Sequence, residues 1–357
     1  MQNFYKNKKI LITGHSGFKG SWLTKILSNW GASVAGISLP PNTNPSLFEI
    51  LKLSDRINRN YFVDIRDFKK IKEIFETEKP EMVFHLAAQP IVRDSYDDPL
   101  TTYSTNVFGT ANILQAIKDI GIVKSAVIIT TDKVYENKEW PYPYREIDAL
   151  GGHDPYSASK AAADIVVNSY IQSFFNPKDF GSKHNTLVAI ARAGNVIGGG
   201  DWAKDRLVPD MVRAIFERKE SVVIRSPKAI RPWQHVLEPL NGYLMLGQQL
   251  YDGNRNMSGA WNFGPNEESF VCVEKLVAEG ISTLNQGTFK IIEDTSKYEA
   301  NLLKLDINKA GNILGWHPKW QFDDSLKATF EWYGQFYSGV KNINVFTDKQ
   351  IKLYFGD

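Results

Sequence analysis

Near its start the chain reads Ile10-Leu11-Ile12, then Thr13-Gly14-His15-Ser16-Gly17-Phe18-Lys19-Gly20. Trp22, Leu23, Ile26, Leu27 and Trp30 follow at helical spacing. An apolar triplet that passes through a glycine loop into an amphipathic helix leaves a folding chain few options. The triplet reads as a buried strand, the helix covers it, and the loop turns at the strand's carboxyl end. Glycine permits that turn and a close backbone approach, and the helix N-terminus attracts an anion. A dinucleotide pyrophosphate is the anion this arrangement suits. Gly14, Gly17 and Gly20 are spaced three and three rather than two and three. The physical logic of the fingerprint survives that change, because the loop follows a strand and opens a helix.

The same rhythm continues. Ser33 to Leu39 reads as strand two, Tyr61 to Val63 as strand three, Met82 to Ala88 as strand four, Ala126 to Ile129 as strand five and Leu187 to Ala191 as strand six. Between them lie a short helix at Leu47 to Leu53, a helix from Arg66 to Phe75 closed by Pro80, and a helix from Asn106 to Gly121. A last helix starts at Asp154-Pro155 and passes through Ile165, Val166 and Tyr170. Strands alternating with helices predict an α/β fold, a Rossmann-like doubly wound parallel sheet. After Gly198 the rhythm is lost, and Gly and Pro punctuate a mixed region. The expected organisation is a dinucleotide-binding domain over 1–195, with 230–263 returning to it. The substrate-binding lobe, smaller and mixed α/β, takes 196–229 and 264–357.

Composition narrows the function class. Lys plus Arg number 42 against 40 Asp plus Glu, and no basic run carries interleaved aromatics. A nucleic-acid partner is not expected. No apolar run approaches the ~20 residues of a membrane span. Cys272 is the only cysteine, so no intramolecular disulfide forms and a reducing, cytoplasmic setting is expected. The histidines at 15, 85, 153, 184, 235 and 317 are too dispersed for a short-range metal motif, and no metal is expected.

Chemistry concentrates after strand five, in Thr130-Thr131-Asp132-Lys133-Val134-Tyr135. Doubly wound sheets bind ligands at strand carboxyl ends, where these donors, acceptors and charges fall. Tyr156 and Lys160 lie one helical turn apart, and a nearby cation lowers a phenol's pKa. The spacing alone is weak, since Tyr5 and Lys9 share it before strand one. Context favours Tyr156: Asp154 fits an N-cap, Pro155 fits N1, and strand five is one loop away. Asp64 fits an acceptor for an adenine amino group or a plain helix cap. Asn106 fits a site residue or a local cap. Arg231 and Arg206 fit phosphate contacts or surface arginines beside turns. Strand two ends in Ser38-Leu39-Pro40-Pro41, with neither an acid for a ribose nor a cation for a 2′-phosphate. Only Lys19 is a candidate for that phosphate, so NAD is preferred to NADP.

Together these pieces resemble the extended short-chain dehydrogenase/reductase family over nearly the whole chain. The carriers are Thr13-Gly14-x-x-Gly17-Phe18-x-Gly20, Asp64, His85-Leu86-Ala87-Ala88, Asn106-Val107-x-Gly109-Thr110, Tyr156-x-x-x-Lys160 and Arg192-x-x-Asn195-Val196-x-Gly198. Thr131-Asp132 followed by Val134-Tyr135 is similar to the nucleotide-sugar 4,6-dehydratases within it. The resemblance implies NAD held by Gly14, Ser16, Gly17, Phe18, Gly20, Asp64, Ile65, Leu86, Ala87, Ala88, Asn106, Tyr156 and Lys160. It implies a nucleotide sugar held by Asn195, Arg206, Leu207 and Arg231. The implied catalytic set is Thr131, Asp132, Lys133, Tyr156 and Lys160. Tyr156 is the base for the sugar 4-hydroxyl, with Lys160 lowering its pKa. Asp132 is the acid for the 6-hydroxyl, a role that requires burial. Lys133 departs from the pattern, because related hexose dehydratases carry Glu there as the carbon 5 base. Either Lys133 is a desolvated neutral base, or it is a cation facing the enolate while Asp132 or Glu136 moves the proton. A 4-epimerase is the nearest rival and needs no acid–base pair after Thr131. Homodimers or higher homo-oligomers are implied, through the helices after Asn106 and after Asp154.

Overall fold

The computed structural model describes residues 1–292, 303–339 and 342–356. Its main strands are β1 (Lys9–Thr13), β2 (Ser33–Ser38), β3 (Arg59–Phe62), β4 (Met82–His85), β5 (Ser125–Ile129), β6 (Leu187–Ala193) and β7 (Gly259–Phe263). They form one sheet in the order β7-β6-β5-β4-β1-β2-β3, and every pairing is parallel. β5 and β6 are buried along their whole length, as continuous apolar strands of a parallel sheet must be.

Alternation along the strands separates two faces. Ile10, Ile12, Phe84, Val127 and Ala189 pack under helix α1 (Phe18–Asn29) and a later helix over 237–251 that lies on β5 and β6. Leu11, Val83, Ala126, Ile128 and Val188 pack under α2 (Phe68–Glu78), α5 (Gly109–Ile120) and α6 (Pro155–Phe174). Two short helices, α3 (Val92–Asp97) and α4 (Pro99–Tyr103), and a π-helical turn over Ser104–Phe108 precede α5. Pro99 lacks an N–H and separates α3 from α4, with the Asp98 side chain capping the second.

The chain winds outward from β1 to β3 and then returns to β4 on the other side of β1. That reversal opens a crevice at the carboxyl ends of β1 and β4.

Two local expectations are corrected. Strand four was expected to reach Ala88 but ends at His85, because the Ala87 amide donates to the Thr13 side-chain hydroxyl at 3.2 Å instead of to a backbone carbonyl of β1. Asp64 is not the cap of the next helix: Asp67 accepts from the Lys70 amide, and the helix starts at Phe68.

Beyond β6, three two-stranded ladders pair Val196–Ile197 with Gln234–His235, Val222–Ile224 with Phe289–Ile291, and Ile230–Pro232 with Phe270–Cys272. Helices α7 (Leu207–Val212), α8 (Leu237–Tyr251), α9 (Val273–Leu284), α10 (Phe322–Tyr337) and α11 (Ile343–Phe355) accompany them. The apolar cluster under α1 continues without a break through Met211, Leu276, Phe330 and Trp332. The second region is therefore fused to one face of the sheet. Of the tail expected to begin at Val340, Val340, Lys341 and Asp357 lie outside the described residues. Its helix α11 docks on α1 through Asp348 and the buried Lys25, 2.8 Å apart, and on α8 through Tyr354, whose hydroxyl donates to Glu238.

Candidate active site

The glycine loop is shaped by contact. Gly14 has φ +74, and a Cβ there would stand 2.7 Å from the Ala87 amide nitrogen. A Cβ on Gly20 would stand 2.0 Å from the Gly14 carbonyl oxygen. Loop, β4 end and first helical turn are thus pressed together with no room for side chains. Gly17, at the helix N-cap, is exposed and supplies no side-chain cap to the first N–H groups of α1. An uncapped N-terminus over a bare glycine turn fits a dinucleotide pyrophosphate. The Ser16 hydroxyl donates to the Leu39 carbonyl and ties the loop to the end of β2. Phe18, Leu86, Ala87 and Ala88 border the same crevice at intermediate exposure.

Three of the expected cofactor residues also have partners within the protein. The Asp64 carboxylate is taken up by the backbone N–H and guanidinium of Arg66, which hold it below the usual carboxylate range. Ile65 is buried against Gly109 and packs the strand end onto α5. Asn106 spends its side chain on structure. Its Oδ1 accepts from the Gln89 amide, and its Nδ2 donates to the Gln89 carbonyl and to Ser159 Oγ.

That last bond belongs to a continuous string. Thr13 Oγ1 lies 2.6 Å from His85 Nδ1, and His85 Nε2 lies 3.0 Å from Thr110 Oγ1. Thr110 donates to the Asn106 carbonyl, so its oxygen accepts from His85 Nε2–H and His85 Nδ1 accepts from Thr13. Asn106 then reaches Ser159, whose hydroxyl donates to the Tyr156 carbonyl. Burial, with Lys160 nearby, lowers His85 to about 3, which keeps it neutral. The string joins the end of β1 to the first turn of α6.

Helix α6 begins as the sequence demands: the Asp154 side chain accepts from the Ser157 amide and Pro155 stands at N1. Its first turn presents Tyr156 to the end of β5. There Thr131 and Asp132 are buried, at 7 % and 4 % exposure. The Thr131 hydroxyl donates to Asp132 Oδ1 at 3.0 Å and also reaches the Tyr156 phenol. One hydroxyl thus links the phenol to the carboxyl. Asp132 is pressed from behind: a Cβ on Gly194 would stand 2.6 Å from its Oδ2. Lys133 is half-buried, and its amide donates to Thr131 Oγ1. Glu136 is exposed and pairs with Lys138.

Lys160 donates to the Ile129 carbonyl at the end of β5, at 3.0 Å. Burial lowers it to about 8, opposed by Asp164. Burial also pushes Tyr156 up to about 12. Thr131 and then Arg206 pull it down, against Asp132 and Asp154. Arg206 is the guanidinium in electrostatic reach of the phenol. Lys19 is a further cation of these surroundings. It lies near Arg206, Asp132, Lys160 and Asp201, and burial and the Arg206 charge lower it to about 8.

Among the expected substrate contacts, Arg206 is paired to Asp201 at 2.9 Å and Leu207 opens α7 beside it. Asn195 follows β6, and its carbonyl accepts from the Gln234 amide. Arg231 lies half-buried in the ladder with Phe270–Cys272. Sequence reasoning passed over several residues that the structure brings in. His15 is fully buried and packs against Gly36 of β2. Ser95 accepts from the Tyr156 amide. Asp201 is buried, and only its place after three glycines hinted at a role. Among the described residues no group of His, Cys, Asp and Glu is arranged to hold a metal.

Comparison with known proteins adds to this geometry. Residues 11–329 match the family model described as GDP-mannose 4,6 dehydratase. A CDP-glucose 4,6-dehydratase from Salmonella typhimurium is 47 % identical over 333 residues, which is 93 % of this chain and 92 % of that protein. A dTDP-glucose 4,6-dehydratase from Haemophilus influenzae is 27 % identical, covering 91 % of this chain and 97 % of its own. The solved dTDP-glucose 4,6-dehydratase DesIV from Streptomyces venezuelae, with NAD bound, superposes with a TM-score of 0.77. It is 22 % identical and covers 94 % of this chain and 99 % of its own, which is a likeness of fold.

Proposed function

The chain belongs to the GDP-mannose 4,6 dehydratase family, and from that premise we propose that it is an NAD-dependent 4,6-dehydratase converting CDP-glucose to CDP-4-keto-6-deoxyglucose. The observation that carries the reaction is the buried Thr131–Asp132 pair set beside Tyr156. A 4-epimerase has no use for an enclosed carboxyl there. The runs Thr130-Thr131-Asp132-Lys133-Val134-Tyr135, Gly194 to Trp202 and Arg231-Pro232-Trp233-Gln234-His235-Val236 support CDP-glucose, through their resemblance to CDP-glucose 4,6-dehydratases and the 47 % identity to one of them.

NAD, when bound, would supply a hydride acceptor for carbon 4 and a hydride donor for carbon 6. This chain's residues hold and move the protons. Tyr156 takes the 4-hydroxyl proton, and Arg206 and Thr131 favour the phenolate that does so. The buried Asp132 gives a proton to the departing 6-hydroxyl. Lys133 serves carbon 5, either as the base that takes its proton or as the cation facing the enolate while Asp132 or Glu136 takes that proton. In a Lys133→Met variant, deuterium exchange at carbon 5 at the parent rate excludes Lys133 as the base. Lys160 orients the cofactor ribose, and Arg206, Leu207, Asn195 and Arg231 hold the nucleotide diphosphate.

Residues 1–195, with 230–263, form the cofactor half, and 196–229 with 264–357 the substrate lobe. Leu100, Phe108 and Ile165 are 80 %, 68 % and 58 % exposed on α4, the turn after it and α6. This apolar face makes the homodimer contact. The product feeds deoxysugar synthesis for a polysaccharide in the cytoplasm. The test is mass spectrometry of products from CDP-, dTDP-, UDP- and GDP-hexoses with NAD. Loss of one water from the CDP sugar is expected. Unchanged mass with all four overturns the dehydratase reading.

A further inference from the structure

Two ion pairs join short segments from the two halves of the molecule. On α3, Arg93 pairs with Asp205 at 2.8 Å and Asp94 pairs with Lys204 at 2.8 Å. The order is reciprocal: plus then minus on α3 meets minus then plus read backward along 204–205. A slip of one residue would set like charges together, so the charges fix a single register.

The segment is anchored differently at its other end. Tyr333 of α10 donates its hydroxyl to the Asp201 carbonyl and accepts from the Asp201 amide. Trp202 Nε1 donates to Tyr337. The chain then crosses toward α3, where Asp205 adopts φ +59, a left-handed conformation that a non-glycine residue keeps only when its surroundings hold it. Arg206 follows at once, bonded to Asp201 and within electrostatic reach of Tyr156. The inner side of α3 carries Ser95, which accepts from the Tyr156 amide. One short helix therefore touches the catalytic tyrosine on its inside and the arginine's loop on its outside.

We infer that Arg93, Asp94, Lys204 and Asp205 are positioning residues, a charge-coded clasp that holds 203–206 across the cleft and sets Arg206 against Tyr156. A lone exposed pair contributes little. Here two pairs act on the same few residues and hold a backbone that would otherwise relax. The clasp rests on the dehydratase reading for its effect on substrate, but its mechanical part needs no substrate.

The test is a charge swap in the full chain. Asp94→Lys should raise KM for CDP-glucose about 5- to 10-fold with a smaller change in kcat, the scale of one lost exposed pair plus a repulsion. Asp94→Lys with Lys204→Asp should return KM to within about twofold of the parent, the limit set by imperfect exchange of two unlike side chains. Hydrogen exchange without substrate should show the 203–206 amides opening faster in the single variant and recovering in the swap. A folded single variant with parent KM and parent exchange overturns the clasp, as does a folded swap that rescues neither. If the parent leaves CDP-glucose unchanged, the dehydratase reading fails. The exchange measurement then decides the clasp alone: recovery in the swap upholds it and its absence overturns it.

Discussion

The sharpest perturbation is the smallest, Gly194→Ala. A methyl carbon at Gly194 would stand 2.6 Å from Asp132 Oδ2 and 3.2 Å from its Cγ, where ordinary contact begins near 3.4 Å. The carboxyl must retreat by about 0.8 Å, the difference between 3.4 and 2.6 Å. It is 4 % exposed, with Thr131 bonded to its other oxygen, so the retreat cannot be made by turning into solvent. A catalytic group displaced by about 1 Å loses on the order of 10²-fold in rate. Protonation of the 6-hydroxyl should fall by about that factor, while oxidation at carbon 4, which uses Tyr156, continues. Rapid mixing with CDP-glucose should then show near-ultraviolet absorbance from reduced nicotinamide accumulating, and quenched samples should hold a 4-keto sugar of undiminished oxygen count. Asp132→Asn should behave alike. A folded Gly194→Ala enzyme that turns over at the parent rate, with no accumulation, refutes the placement of Asp132 as the acid.

Other outcomes follow from the same site. Burial holds Lys160 at about 8, so its charge is present below that pH and lost above it. The alkaline limb of kcat/KM should fall near pH 8 and move upward in Lys160→Arg; an unmoved limb would hand the titration to Lys19, which also sits at about 8. His85 and His235 are both held near 3 by burial, against an ordinary 6.5. Between those values only the unfolded chain binds the proton, so stability is lost as pH falls below 6.5. Each histidine removes up to about 1.4 kcal/mol per pH unit. His85→Asn should flatten the fall in melting temperature between about pH 7 and about pH 5, and an unchanged slope would contradict the buried neutral ring. Phe108→Glu should convert a dimer to a monomer in light scattering; a dimer that survives it excludes this face.

Much of the fold was legible because its causes are local. Apolar runs, a glycine turn and the Asp154-Pro155 cap act within a few residues, and the sheet and α6 follow from them. What stayed hidden depends on contacts between distant segments. Strand four reads as apolar through Ala88, yet Thr13, far away in sequence, takes the Ala87 amide and ends it. Gly198-Gly199-Gly200 reads as a loose punctuation mark. It is buried, because Trp332 lies so close that a Cβ at Gly199 would be 2.0 Å from its ring. In the site, the position of Thr131 and Asp132 after strand five and of Tyr156 and Lys160 one turn apart at the head of a helix was legible, and the structure has them there. That Arg206 comes within electrostatic reach of the phenol, while the Lys160 amine donates to a backbone carbonyl, depends on how the loop after Asp201 runs. No periodicity records that path.

The hydrogen-bond string from Thr13 through His85, Thr110, Asn106 and Ser159 to Tyr156 has a further consequence. None of its members lies in the segments that carry Asn195, Arg206, Leu207 or Arg231. Alignment of the tyrosine with the cofactor strand is thus carried by a gauge buried inside one half of the molecule. The residues proposed to hold the sugar nucleotide stand outside it, Arg206 and Leu207 at the start of α7 and Arg231 in the ladder with Phe270–Cys272. On the proposed reading, the choice of activated sugar and the alignment of the tyrosine are therefore set by separate parts of the chain.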